Sequence, residues 1–195
     1  MNLKNNKKAV IFLDNDGVIC LDNNWGGRSK KWSKYLKKNP ECMSEADAPV
    51  EVRFDNFDGK AISVLNKILE ETGAEIVVSS DWKKDATLEE LGEYYINHQI
   101  IKKPIGMTKL IEEVDDAPNL YVERYEEERA REIGQYLKDH PEITHWVAVD
   151  DLNLAKDSGI PDAQQWGLEN FVRCIGFNQG IKRSGLKEKI IKFLE

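Results

Sequence analysis

In the stretch AVIFLDNDGVI, Ala9 to Ile19, Asp14 and Asp16 stand one residue apart directly beyond five apolar residues. Like charges this close to a buried run are costly unless something cationic neutralises them. Two further polar pairs follow apolar runs in the same way: Ser79 and Ser80 after EIVV, and Asp150 and Asp151 after HWVAV. If the three runs are neighbouring strands, four carboxylates and two hydroxyls meet in one small volume. A hard divalent cation with oxygen ligands, Mg²⁺, is the simplest neutraliser, and Asp14, Asp16, Asp150 and Asp151 are its expected ligands. Such a metal commonly neutralises a phosphoryl group while a nucleophile attacks it.

The pairs converge only if the surrounding elements hold them there. Short β-rich runs alternate with segments of helical period, which predicts βαβ units and an α/β fold whose parallel sheet is covered on both faces. Ala9 to Leu13 reads as the first strand. From Ala61, the positions Val64, Leu65, Ile68 and Leu69 form one helical stripe, closed by Gly73 at a left-handed C-cap position, before a second strand EIVVSS. Leu88, Leu91 and Tyr95 suit another helix, and Ile100 to Ile105 a third strand. Within the charged segment Glu123 to His140, Ala130, Ile133 and Leu137 repeat at helical spacing, and Pro141 follows its end. HWVAVDD then reads as a fourth strand, FVRCIGF as a fifth, and Leu186 to Leu194 as a terminal amphipathic helix. Ligands of a doubly wound sheet bind beyond the carboxyl ends of its strands, where all three polar pairs lie.

The polar segment 22–57 contains RSKKWSKYLKK, in which six of eleven residues are basic and none is acidic. It is expected to be a loop with one or two short helices at the rim of the site, where Trp25, Trp32 and Tyr35 either anchor it or touch substrate. Trp146 and Trp166 are expected in the core. A chain of 195 residues suits a single domain, 1–195, and its net charge of −7 argues against a general grip on nucleic acid phosphates while leaving room for a local basic patch. Cys20, Cys42 and Cys174 have neither disulfide nor zinc-ligand spacing and are expected to be reduced core residues. Asp14 interrupts the first apolar run too early for a signal peptide or a membrane span, so a cytoplasmic location is expected, or export without a cleaved signal.

The order LDNDGV, VVSS, a basic residue and VAVDD resembles the four motifs of the haloacid dehalogenase (HAD) superfamily across nearly the whole chain. SSDW and the RAREI run are most similar to the HAD domain of multifunctional RNA repair proteins. The resemblance implies a three-layer, Rossmann-like HAD fold with a central parallel sheet and a Mg²⁺-dependent phosphatase. Asp14 then corresponds to the nucleophile that forms an aspartyl phosphate, and Asp16 to the general acid and base. Ser79 corresponds to the hydroxyl that bonds the transferring phosphoryl group, and Asp150 to a metal ligand with Asp151 beside it. The basic residue of the third motif falls on Arg129 or Arg131, with Arg129 favoured. Ser80, Lys83 and Arg131 are further candidates for holding substrate. Related domains usually carry Arg where this chain has Lys83, and Gly where it has Ala130.

Blander readings compete at several positions. Ser80 and Asp81 suit helix caps, and both arginines suit exposed helix charges paired with nearby glutamates. About sixty residues separate the first two strands, too few for a large cap domain, so segment 22–57 is a long basic loop or a minimal cap. The resulting open site suits a phosphoprotein, phosphotyrosine included, or a polynucleotide end. The alternatives are a small-metabolite phosphatase and a non-catalytic binding module that retains the HAD fold. A receiver domain is disfavoured by the order of its aspartates, and a kinase by the lack of a GxxxxGK[ST] loop.

Overall fold

The computed structural model describes residues 8–21, 27–111, 121–176 and 178–195. Five strands, β1 (Ala9–Leu13), β2 (Glu75–Val78), β3 (Gly106–Met107), β4 (His145–Asp150) and β5 (Phe171–Arg173), form one parallel sheet in the order β3-β2-β1-β4-β5. The helices are α1 (Arg28–Leu36), α2 (Val50–Arg53), α3 (Gly59–Thr72), α4 (Leu88–Asn97), α5 (Tyr121–Asp139), α6 (Ala163–Trp166) and α7 (Leu186–Leu194).

The central position of β1 explains its unbroken apolar run, because both of its faces are buried. Ile11, Leu13, Ile76, Val78, Val147 and Val149 pack with Leu65 and Ile68 of α3, Leu91 of α4 and Ile190 of α7. On the other face Val10, Phe12, Val77 and Ala148 pack with Ala130 and Ile133 of α5 and Trp166 of α6. This is the expected three-layer, Rossmann-like arrangement. Trp166 is buried as expected, whereas Trp146 is half-buried and leans edge-on against Phe12.

The parallel register sets the level of the polar pairs. Leu13 lies opposite both Val78 and Val149. The next residues in the three chains, Asp14, Ser79 and Asp150, therefore stand in one row at the carboxyl end of the sheet. The ladder continues into that row, with the Asp14 N–H donating to the Val149 carbonyl at 3.0 Å and the Ser79 N–H to the Leu13 carbonyl at 2.9 Å.

Two strands differ from expectation. The third does not occupy 100–105: Pro104 has no N–H to give, the Ile105 N–H makes the first rung to the Ile76 carbonyl, and only Gly106–Met107 pair. The fifth ends at Arg173 instead of running through FVRCIGF, although the Cys174 N–H still donates to the Asp150 carbonyl. Residues 27–57 form α1, a 3₁₀ turn at Glu45–Asp47 and α2, and no strand of their own. Trp25 lies outside the described residues. Cys20 and Cys174 are buried free thiols, but Cys42 is only half-buried and is no core residue. No described helix is long and apolar enough to cross a membrane.

Helix α3 ends where its apolar stripe ends, because Gly73 takes φ +68° and returns its N–H to the Leu69 carbonyl. An alanine there keeps the space but not the comfort of the left-handed conformation. Gly73→Ala should lower stability by about 1 kcal/mol in urea unfolding, and Gly73→Asn by less. An unchanged midpoint for the alanine variant would contradict this account of the helix end.

Candidate active site

Asp14 and Asp150 are almost completely buried at the ends of adjacent strands, as are Ser79 and Ser80 beyond β2. The sheet alone would leave two carboxylates facing each other in a poorly solvated place. Arg129, from α5 and itself buried, enters between them. Its Nη1 lies 3.2 Å from Asp14 Oδ1 and 3.0 Å from Asp150 Oδ2, and also donates to the Ser79 carbonyl. Its Nη2 lies 3.1 Å from Asp81 Oδ1. Burial opposes the guanidinium charge, but Asp14, Asp150 and Asp81 outweigh that and hold it protonated.

The choice between the two candidate arginines follows from helix geometry. Residues two apart on a helix point about 200° away from each other, so only one can enter the site. Arg129 enters. Arg131 is exposed and donates to Glu127 at 2.6 Å, so its expected contact with substrate is not supported and the bland reading holds for it. Lys83 also departs from expectation. Its ammonium is buried against Glu132 of α5 and 3.0 Å from Thr108 Oγ1, which leaves it committed to an internal ion pair instead of a phosphate. Burial depresses its pKa, with Glu132 opposing.

One arginine does not balance the carboxylates. Oxygens of Asp14, Asp150 and Asp151 lie within 4.8 Å of one another, a spacing that a hard cation with carboxylate ligands bridges. The residues fit such an ion in a second respect, since burial raises the pKa of each of the three, and Asp150 repulsion raises Asp14 further. Asp150 is pushed up to about 6 by burial, with Arg129 opposing. Asp16, expected among the ligands, stands outside this trio. Its Oδ2 accepts the Trp82 indole N–H at 2.8 Å, and burial raises its pKa while that bond opposes the rise.

The turn after β1 is built to make this possible. The Asn15 carbonyl accepts the N–H groups of Val18, Ile19 and Cys20, and Asn15 Oδ1 accepts the Tyr95 hydroxyl at 2.6 Å. Gly17 follows at φ +69°, and a Cβ on it would overlap the Asp151 carboxylate. The DNDG stretch thus needs its glycine for conformation and for space together.

The Ser80 hydroxyl lies beside Asp14 and favours its charged form, yet makes no hydrogen bond of normal geometry. It does not cap the 3₁₀ turn Asp81–Lys84 that follows, so the capping role weighed from sequence is not used. The Ser79 hydroxyl and Asn15 Nδ2 are likewise buried without partners. Of the three, the Ser80 hydroxyl is the one placed beside a carboxylate of the site. Sequence reasoning missed Asn15, Asp81 and Trp82 as parts of the site. Position was the available signal for all three, inside LDNDGV and SSDW.

The raised pKa of Asp150 has a definite sign for stability. A carboxyl at about 6 when folded and 3.8 when unfolded stabilises the fold fully below pH 4, and that contribution is lost as pH rises through 6. In chelator, Asp150→Asn should therefore gain stability relative to wild type as pH rises from 4 to 7, by roughly 1–3 kcal/mol. Mg²⁺ should shift the difference back toward wild type at neutral pH, because the variant lacks one of the three carboxylates that would hold it. A difference between variant and wild type in chelator that does not move toward the variant from pH 4 to pH 7 would contradict this.

The family described as the HAD domain in Swiss Army Knife RNA repair proteins matches residues 10–183. No curated relative and no solved structure matches the chain. The matched span runs from β1 past β5 and takes in Asp14, Asp16, Ser79, Ser80, Arg129, Asp150 and Asp151 together with the sheet that aligns them. The chain belongs to the family of HAD domains of Swiss Army Knife RNA repair proteins.

Proposed function

We propose that the chain is a Mg²⁺-dependent phosphomonoester hydrolase that works through an aspartyl phosphate on Asp14 and acts on the end of a polynucleotide. The carrying observation is the convergence of Asp14, Asp150 and Asp151 within 4.8 Å. Arg129 sits between the first two, and the unpartnered Ser80 hydroxyl lies beside Asp14.

A Mg²⁺ ion held by Asp14, Asp150 and Asp151 would supply charge neutralisation for the phosphoryl oxygens. The protein's own groups carry the proton and bond changes. An Asp14 carboxylate oxygen bonds to phosphorus as the ester P–O bond breaks, and Asp16 protonates the departing oxygen. Asp16 then takes a proton from water, whose oxygen attacks the same phosphorus. The bond to Asp14 breaks, freeing the carboxylate and inorganic phosphate. The raised pKa of Asp16 suits a group that must hold a proton at the start of the cycle. Arg129 and the hydroxyls of Ser79 and Ser80 provide positive charge and donors for the equatorial oxygens.

The substrate class is supported by α1 and the two lysines that follow it. Lys34, Lys37 and Lys38 are exposed, and the half-exposed rings of Trp32 and Tyr35 stack with centroids 6.0 Å apart. Basic side chains interleaved with aromatic faces suit a single strand, whose phosphates and bases are held separately. The helix is tied to the site through Lys31, which donates to the Phe54 carbonyl at 2.8 Å, and the Phe54 ring stacks on Trp82. Lys31 is therefore a structural cation and not one of the rim charges. The family's description, RNA repair, agrees with this reading.

Asp14→Asn should reduce turnover of an aryl phosphate by ~10³-fold or more, with the fold retained by circular dichroism. A variant that keeps a few per cent of the rate would remove Asp14 as nucleophile. Wild-type activity should vanish in chelator, return with Mg²⁺ and be inhibited by Ca²⁺, which takes more ligands at longer distances. Full activity in excess chelator would contradict the metal requirement. Replacing Lys34, Lys37 and Lys38 by alanine should flatten the salt dependence of kcat/KM for a phosphorylated oligonucleotide by roughly 0.7 log–log units for each phosphate no longer neutralised. The small aryl phosphate should be unaffected. A phosphopeptide preferred over the oligonucleotide at every ionic strength would overturn the nucleic acid reading.

A further inference from the structure

Trp82 occupies an unusual position for a large aromatic residue. It lies in the 3₁₀ turn after β2, only 4% exposed, yet its indole N–H is not used within its own turn. The N–H instead crosses to Asp16 Oδ2 at 2.8 Å, 66 residues away in sequence. A neutral donor on a partly desolvated carboxylate fixes the rotamer of that carboxylate, and the weaker Cys20 thiol, which also favours the charged form of Asp16, lies beside it.

The indole is itself fixed by segment 27–57. The Phe54 ring is stacked on it at 4.1 Å and 7°, and the Phe57 ring at 5.3 Å and 9°. Tyr94 of α4 meets it edge-on at 5.6 Å. Those rings are held in turn by polar contacts. The Lys31 ammonium donates to the Phe54 carbonyl and lies 3.3 Å from the Tyr94 hydroxyl, which donates to the Asp55 carbonyl at 2.7 Å. The Asp58 N–H closes the segment onto the Ile19 carbonyl, within the turn that carries Asp16.

We propose that Trp82 is a positioning residue for the Asp16 proton donor, and that the Phe54–Phe57 clamp makes segment 27–57 the element that sets where the proton is delivered. This rests on the hydrolase reading for Asp16 and goes beyond it by naming the group that aims the acid. A proton is needed only when the leaving oxygen is basic. An alkyl alcohol leaves badly as an alkoxide, whereas p-nitrophenolate leaves without help. Loss of the Trp82 N–H must then discriminate between substrates by leaving group, which a general loosening of the fold does not do.

The test uses the full chain with Trp82→Phe, and with benzothienylalanine at position 82, which keeps the bicyclic shape and removes the N–H. The kcat/KM for a 3′- or 5′-phosphorylated nucleoside should fall ~10–100-fold in both, a fraction of what general acid catalysis contributes in full. That for p-nitrophenyl phosphate should change less than about 3-fold, since it requires no leaving-group protonation. Phe54→Leu, which loosens the clamp and keeps the N–H, should show the same bias at smaller size. Equal losses on both substrates would overturn the proposal. Independently of activity, the ¹⁵N-labelled indole resonance of Trp82 in wild type should lie downfield and move upfield in Asp16→Ala. An unmoved resonance would overturn the proposal even if the protein hydrolyses phosphate esters. Failure of wild type to hydrolyse any phosphate ester, with the resonance moving as expected, would instead overturn the hydrolase reading and the proton-delivery role with it, while leaving the Trp82–Asp16 hydrogen bond standing as a structural contact.

Discussion

Asp14 and Asp150 end neighbouring strands at the middle of the sheet, each nearly removed from water, and one guanidinium bonds to both. Desolvated like charges at this distance are unfavourable, and the fold keeps them by arranging other elements around that conflict. Helix α5 is oriented so that Arg129 enters the row. Its next turn carries Glu132, which holds Lys83 and Thr108, so the edge of the sheet beside β3 is fastened to the same helix. Glu126 fastens the other side by accepting the Asn153 N–H at 2.7 Å. The remaining excess of negative charge is what makes a divalent cation fit.

Much of this was legible in the sequence because its physical cause is local. A strand buried on both faces must be apolar throughout, so AVIFL, EIVV and HWVAV were readable, and the polar pair after each lay where a parallel sheet exposes its ligand end. Gly73 and the stripe above it marked the end of α3 for the same kind of reason. What escaped depends on pairing across long separations. Arg129 and Arg131 look alike in sequence, and only the phase of α5 against the sheet separates them. Lys83 reads as an available cation until Glu132, 49 residues later, is found against it. The shortened strands β3 and β5 were misjudged because apolar composition continues past the point where Pro104, or the end of pairing, stops the ladder.

The segment between β1 and α3 illustrates how composition can mislead about role. Its six cations suggested a solvated or substrate-facing run, but they are divided by the structure. Arg28 pairs with Glu45, and Lys31 is half-buried beneath the Phe54 carbonyl and Tyr94. Lys34, Lys37 and Lys38 remain exposed. The short helix α1 thereby fastens an aromatic cluster against Trp82, while it and the two lysines after it present charge. Asp16, the clamp and the basic surface are connected through these contacts, which under the proposed function would couple the handling of the leaving group to the surface that receives the rest of the substrate.

The central claim is that Asp14 becomes covalently phosphorylated. Wild-type protein mixed with Mg²⁺ and phosphorylated substrate, quenched in acid during turnover and reduced with borohydride, should yield homoserine at position 14 on peptide mapping. No homoserine should form without substrate or without the metal. Steady turnover with no reducible species at Asp14, or with the label on another residue, would contradict the account.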